Sequence, residues 1–403
     1  MINIAVLGYG VVGSGVVEVI GRNHEEVRKK AGDEVRVKYI LDLRDFPGDP
    51  YEDCIIHDFD IILNDPEVSI VCEVMGGTGA AYQFTRQLLE AGKNVCTSNK
   101  ELVAKHGAEF LELAVARHCN YMFEASVGGG IPIIRSVNTA LTAEKIEAVT
   151  AILNGTTNYI LTKMGSEGTE YEEALKQAQE LGYAERNPEA DVEGYDACRK
   201  LAILSSLITG RNVDAGEIYT EGITGITGAD FEYARLEGMV IKQLAIGKMQ
   251  EDGSVLAMVA PFMLSAGYPL AAVNDVFNAV LVTGNMLGDV IFYGRGAGKL
   301  PTASAVAADV IDCAKHQGKN VICIWDREAA KVADVADTKR RFFLRVDAEA
   351  RGAVEEMFAG GKIVTLPAGG EELGFFTAEM KEKDFNAKCG ELGTAVLSRI
   401  RLL

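Results

Sequence analysis

What this chain of 403 residues lacks narrows its class before any motif is read. Its eight cysteines (Cys54, Cys72, Cys96, Cys119, Cys198, Cys313, Cys323 and Cys389) form no C-x-x-C pair, which disfavours a zinc ribbon or a disulfide scaffold and fits a reducing, cytoplasmic compartment. No apolar run approaches the ~20 residues that a helix needs to cross a bilayer, so a soluble protein is expected. Positive charge is in short supply. The 40 Lys and Arg stand against 58 Asp and Glu, a net charge of -18 that repels nucleic acid and anionic lipid alike, although a small anion still suits a locally positive pocket. Internal repeats and low-complexity tracts are missing as well, which argues against solenoids and disordered scaffolds. The first twenty residues are apolar, but they have no basic stretch and are interrupted by Gly8, Gly10, Gly13 and Gly15, so they read as folded structure and not as a leader.

The length exceeds what one hydrophobic core accommodates, and two or three domains are expected. Residues 2–7 read as a strand ending at a glycine turn, and 11–20 continue with helical spacing. A strand at 35–41 follows, then strands at 69–74 and 94–98 alternating with helices at 80–91 and 101–118. Repeated βα units of this kind predict a parallel sheet covered on both faces, an α/β class. Beyond about Gly130 the pattern changes to long helices (172–181, 192–208) among Thr- and Val-rich strands (147–153, 255–261). A helix at 301–315 is expected to return to the first domain. The boundaries expected are therefore 1–130 plus about 295–320 for the first domain, 131–294 for a second α+β domain, and 321–403 for a small α+β appendage.

Gly8-Tyr9-Gly10-Val11-Val12-Gly13 fits G-x-G-x-x-G between strand and helix. Gly8 permits the turn, Gly10 lets the backbone approach a pyrophosphate, and Gly13 allows helix and strand to pack closely; Val11 and Val12 supply N–H groups at the helix start. An acid at the end of the second strand selects ribose hydroxyls and an arginine accommodates a 2′-phosphate, but Leu41-Asp42-Leu43-Arg44-Asp45 holds both and leaves NAD and NADP open. Lys100, in Thr97-Ser98-Asn99-Lys100, ends a predicted strand where ligands meet an open sheet; a solvated lysine is the ordinary alternative. Its place in a first helical turn opposes the helix dipole, which favours a functional role. Gly182 is expected to end one helix and Asp191 to cap the next, on which Asp196 and Lys200 share a face. Such a pair is ordinarily a surface salt bridge contributing ~0.3–0.5 kcal/mol, yet the apolar Leu201-Ala202-Ile203-Leu204 that follows points to a buried site. Asn154-Gly155-Thr156 matches a glycosylation sequon, but with no secretory signal its glycine and hydroxyls are better placed to meet a substrate.

Together these segments resemble the homoserine dehydrogenases, closely over about the first 320 positions. The resemblance rests on GYGVVG, TSNKELVA, EASVGGGIPII, LNGTTNYIL, LGYAERNPEADVEGYDACRKLAIL and GRGAGKLPTASAVAADV. It implies a Rossmann dinucleotide-binding domain, a substrate domain with a mixed sheet, a dimer interface, and hydride exchange between L-homoserine and L-aspartate 4-semialdehyde with NADP or NAD. By the same resemblance Lys200 and Lys100 serve proton transfer and substrate orientation, and Glu185 binds the substrate ammonium. Asp191 and Asp196 lie near its hydroxyl, while Gly155, Thr156 and Tyr183 complete the pocket. Gly296 and Gly298 lie beside the cofactor. A monovalent cation, Na or K, is implied near Glu124, Val127, Gly129 and Ile131, partly through main-chain carbonyls; oxygen ligands suit a hard cation.

The C-terminal segment RRFFLRVDAEARGAVEEMF keeps the strand and helix of a regulatory ACT domain but lacks its Asp-x-Pro-Gly-like turn. A degenerate ACT-like appendage is expected, with no inference of threonine inhibition. Two other readings compete. An acylating semialdehyde dehydrogenase needs a cysteine nucleophile with a base, and the five histidines offer no obvious partner. A dinucleotide sensor would need neither lysine nor the acidic cluster.

Overall fold

The run Ile2–Leu7 forms strand β1 of the computed structural model, which describes residues 1–367 and 369–403. Five strands join it in parallel: β2 (Val35–Leu41), β3 (Ile55–Ile56), β4 (Val68–Glu73), β5 (Asn94–Thr97) and β6 (Tyr121–Met122). Their order is β3-β2-β1-β4-β5-β6. The order reverses between β1 and β4, and beyond the carboxyl ends of the strands at such a switch lies a ligand crevice. This is the Rossmann arrangement the βα alternation predicts. Helices cover both faces of a parallel sheet, so its central strands are apolar without alternation: Ile4, Ala5, Val6 and Leu7 are all fully buried, as are Ile70, Val71 and Cys72.

Two compact units divide the chain. The first comprises Met1–Lys145, Ala202–Ala215 and Phe292–Ala330, and the second Ile146–Leu201, Gly216–Ile291 and Lys331–Leu403. Within the first, helix Lys299–Lys315 lies against helix Val11–Arg22. Small residues make that approach possible, since a Cβ on Gly15 would stand 2.9 Å from the Lys299 carbonyl oxygen and 3.0 Å from the Ala303 Cβ.

In the second unit, β7 (Ile146–Ile152) lies between the antiparallel strands Phe277–Gly284 and Met239–Met249, and the latter pairs with Val255–Ser265 along its full length. The division differs from the three segments drawn from sequence. Residues 131–145 fall in the first unit, and the C-terminal segment does not stand apart. Its last strand, Val396–Leu402, continues the sheet through parallel pairs Phe262↔Arg401 and Met263↔Leu402, so that each strand satisfies the other's edge groups. That segment runs strand, helix, strand, strand, helix, strand: Phe342–Asp347, Arg351–Met357, Lys362–Val364, Glu372–Phe376, Glu382–Leu392, Val396–Leu402. Its antiparallel order, fourth-first-third-second, is the split βαβ arrangement of ferredoxin-like folds.

One helix differs from its sequence reading. The stretch 192–208 is broken into Glu189–Val192 and Tyr195–Thr209. Between them Gly194 adopts φ +85°, and a Cβ there would press on Gln243, Thr220 and Val259 at 3.1–3.2 Å. Asp191 therefore sits inside the short helix and does not cap the long one.

Candidate active site

The glycine turn closes β1 and opens helix Val11–Arg22. Gly8 has φ +95°, and the Cβ of any other residue at Gly13 would fall 1.9 Å from the Gly8 carbonyl oxygen, so position 13 admits only glycine. Above Gly10 the space is open: an added Cβ meets nothing within 4 Å, no side chain caps the helix, and its first turn carries no acid. N–H groups left uncapped at a helix start, approached through a residue without a side chain, fit a pyrophosphate. At the end of β2, Asp42 accepts from the Tyr9 N–H (2.8 Å) and from Arg44 through Nε (2.9 Å) and Nη2 (3.1 Å). Arg44 and these amides hold the Asp42 carboxyl well below the usual carboxylate range. An ionised acid that can take ribose hydroxyls thus stands beside an arginine that is 63% exposed and able to reach a 2′-phosphate.

Lys100 opens helix Lys100–Ala116, where Asn99 accepts from the Leu102 N–H at 3.1 Å. Asn99 also donates to the Gly77 carbonyl (2.6 Å), tying the segment after β5 to the loop after β4. The turn Gly296–Gly298 lies against Gly129, whose Cβ, if it had one, would be 2.4 Å from the Gly296 carbonyl oxygen, and Gly298 (φ +123°) precedes helix Lys299–Lys315. Glu124, 2% exposed, accepts through its carboxylate from the N–H groups of Ile134 (2.8 Å) and Arg135 (2.7 Å). Among the described residues no cluster of three His, Cys, Asp or Glu side chains is set to hold a metal ion. Main-chain carbonyls of the turn holding Val127, Gly129 and Ile131 are the remaining donor type there.

In the second unit Asp196 and Lys200 are buried, whereas Asp191 is partly exposed. Lys200 Nζ donates to Asp196 Oδ2 (2.7 Å) and to the Leu153 carbonyl (2.8 Å), with side-chain exposures of 10% for Lys200 and 5% for Asp196. Asn154 binds the group together. Its Nδ2 donates to Asp191 Oδ1 (2.7 Å) and Asp196 Oδ2 (3.0 Å), while its Oδ1 accepts from the Thr157 N–H (2.9 Å) and so caps helix Gly155–Glu167. A Cβ on Gly155 would meet the Val276 carbonyl oxygen at 2.8 Å, so a glycine lets strand end and helix start close up here. Thr156 donates its hydroxyl to the Tyr183 carbonyl (2.7 Å), and the Tyr183 ring meets Tyr159 edge-on. Glu185 lies in the exposed segment that follows, its carbonyl accepting from Gln179 Nε2 at 3.1 Å.

Sequence reasoning grouped Glu185, Asp191, Asp196 and Lys200; hydrogen bonds link the last three, Glu185 lies in the exposed segment before them, and Asn154, which joins the two aspartates, was missed. A legible signal existed, since an asparagine between a strand and a Gly-Thr-Thr helix start is a strong N-cap. The Asn154 amide joins the two carboxylates, and Lys200 is bonded to one of them, so carboxylate acceptors and an ammonium donor stand together beside the helix start.

A Rossmann sheet, a glycine cradle open at Gly10 and an ionised Asp42 define a nicotinamide-dinucleotide oxidoreductase. Residues 8–124 match the profile of the homoserine dehydrogenase NAD-binding domain, and residues 132–311 that of homoserine dehydrogenase. The chain is 41% identical to a homoserine dehydrogenase of Bacillus subtilis (78% of this chain, 73% of the relative) and 38% identical to one of Synechocystis (97% and 96%). The structure of a homoserine dehydrogenase from Thiobacillus denitrificans superposes with a TM-score of 0.91 at 34% identity, covering 100% of this chain and 98% of that one. A hyperthermophilic archaeal homoserine dehydrogenase in complex with NADPH matches with a TM-score of 0.65 at 27% identity, covering 77% and 97%. This chain belongs to the homoserine dehydrogenase family, and is an oxidoreductase that acts on a CH–OH group with NAD or NADP.

Proposed function

We propose that the chain interconverts L-homoserine and L-aspartate 4-semialdehyde in threonine and methionine biosynthesis, with Lys200 and Lys100 in proton transfer and substrate orientation. The observation that carries the residue assignment is the buried Lys200 amine, fixed between Asp196 and the Leu153 carbonyl. The dinucleotide supplies or accepts the hydride. Toward homoserine, a lysine ammonium donates a proton to the oxygen that gains charge as the carbonyl is reduced; toward the semialdehyde, the neutral amine removes the hydroxyl proton, which favours higher pH. Asp196 holds the amine in place, and Asp191, joined to Asp196 through Asn154, lies with it near the substrate hydroxyl. Glu185 takes the substrate ammonium, with Gly155, Thr156 and Tyr183 completing the pocket.

Gly8, Gly10, Val11, Val12 and Gly13 hold the pyrophosphate, Gly296 and Gly298 lie beside the dinucleotide, and Asp42 with Arg44 addresses the adenosine ribose. We further propose a sodium or potassium ion on main-chain carbonyls near Glu124, Val127, Gly129 and Ile131, a homodimer, and a cytoplasmic location. The last accords with the described residues, which contain no helix long and apolar enough to cross a membrane. Nicotinamide absorbance, followed with homoserine, aspartate semialdehyde and aspartate as rival substrates, tests the assignment. Turnover with the first two and none with aspartate is expected; turnover with aspartate alone, or with none of the three, refutes it.

A further inference from the structure

Glu73 ends β4, and its carboxylate is fully buried at the carboxyl edge of the parallel sheet. Oε2 accepts from the Thr97 hydroxyl at 2.7 Å and Oε1 from the Met75 N–H at 3.0 Å. The Thr97 oxygen itself accepts from the Asn99 N–H (2.9 Å), so its proton is directed at Glu73. The Asn99 side chain and the Gly76 N–H bond to the same carboxylate. Burial holds the Glu73 carboxyl above its usual range, against these donors, each of which lowers it. Every partner donates and Glu73 accepts throughout, a hydrogen-bond set built for the ionised form. Among the described residues no lysine, arginine or histidine forms an ion pair with it. A buried anion whose partners are all neutral projects its charge further than a paired one.

Its place in the sheet says where that charge acts. A doubly wound sheet has two mononucleotide-binding halves. The half β1–β3 carries Asp42 for the adenosine ribose, which leaves β4–β6 to the nicotinamide. The loop that Glu73 organises, Val74–Met75, also packs on the glycine turn: a Cβ on Gly8 would lie 3.1 Å from Met75 Cγ. We propose that Glu73 is the charge that makes the nicotinamide half of this crevice prefer the cationic, oxidised ring over a neutral one. The inference rests on the dinucleotide reading above and deepens it by naming a residue that sets affinity by redox state. Glu73 acts through space, with no contact to reacting atoms required.

The test is binding, read by calorimetry on the full chain without substrate. Three ligands are compared: NAD⁺ or NADP⁺, whichever binds more tightly, its reduced form, and its analogue with a neutral benzamide ring in place of the pyridinium. A unit charge acting over ~10 Å at an effective dielectric constant of ~20 predicts that the native protein binds the cationic ring roughly tenfold more tightly than the benzamide analogue. In Glu73→Gln that preference should fall below about threefold, while the affinity for the reduced form changes by less than about threefold. Native discrimination below about threefold overturns the proposal, as does native-like discrimination in Glu73→Gln or an equal loss of all three affinities, the mark of a purely structural role. The native comparison needs no variant, so it decides even where Glu73→Gln does not fold. Glu73→Asp, which keeps the charge, is expected to retain the preference, and its loss there contradicts a charge effect. Failure of all three ligands to bind the native protein would instead refute the dinucleotide reading.

Discussion

Replacing Lys200 by methionine removes the cation 2.7 Å from Asp196 while keeping most of the side-chain volume. Were this the surface pair its spacing ordinarily signifies, the cost would be ~0.3–0.5 kcal/mol. With exposures of only 10% and 5%, the pair is buried, and withdrawing one partner leaves a desolvated carboxylate at a cost of about 3–5 kcal/mol. The Leu153 carbonyl loses its donor at the same time. Lys200→Met should therefore lower unfolding free energy by about 3 kcal/mol in urea, and kcat by about 10²–10⁴ if the amine is the acid–base group. Adding Asp196→Asn removes the stranded charge and should recover at least about 1.5 kcal/mol of stability without recovering turnover. A stability change below about 0.5 kcal/mol together with near-native kcat would refute both burial and role.

Lys242, 2% exposed, donates among the described residues only to neutral acceptors: the Val273 carbonyl (2.6 Å), Asn274 Oδ1 (2.9 Å) and Asn158 Oδ1 (3.2 Å). Burial pulls its pKa down from 10.5 to about 8. Between those values the unfolded chain binds more protons than the folded one, so stability rises with pH across that window, by about 3 kcal/mol in total. The rise should vanish in Lys242→Met, and parallel pH curves for the two proteins would contradict it. A methyl at Gly107 would press on the Trp325 ring at 2.8–3.2 Å, so Gly107→Ala should cost about 1–3 kcal/mol and shift the fluorescence of the chain's one tryptophan, whereas unchanged emission would show the ring has room. Arg44→Ala should weaken NADP⁺ binding roughly tenfold and leave NAD⁺ within about threefold, because it withdraws one charge-assisted contact to the 2′-phosphate; equal losses would remove that role.

The first sheet was legible because its signal is local. β1 and β4 are largely apolar runs and β2 alternates about Arg36 and Lys38, so β1, β2, β4 and β5 lie within a residue or so of their sequence expectation, whereas the two-residue strands β3 and β6 were too short to carry a pattern. The break at Gly194 was not legible, since the neighbours that require glycine there, Thr220, Gln243 and Val259, are remote in sequence. The same reason hid the sheet continuity of the C-terminal segment, which depends on two residue pairs each separated by 139 positions. In the candidate site, Asp196 and Lys200 were visible as a helical i,i+4 pair. Their burial was visible only through the apolar turns that follow, and the bond from Asn154 to both aspartates spans 37 and 42 residues. Glu73 carried a signal that was passed over, a lone acid closing the largely apolar strand Val68–Glu73.

The central claim is hydride exchange with the carbinol carbon of homoserine, and isotope tracing addresses it most directly. Homoserine bearing deuterium on that carbon, incubated with this protein and NAD⁺ or NADP⁺, should deliver the label to the nicotinamide ring of the reduced dinucleotide at the rate of semialdehyde formation. Reduced dinucleotide that carries no label, or no reduction at all under conditions where the dinucleotide binds, would contradict it.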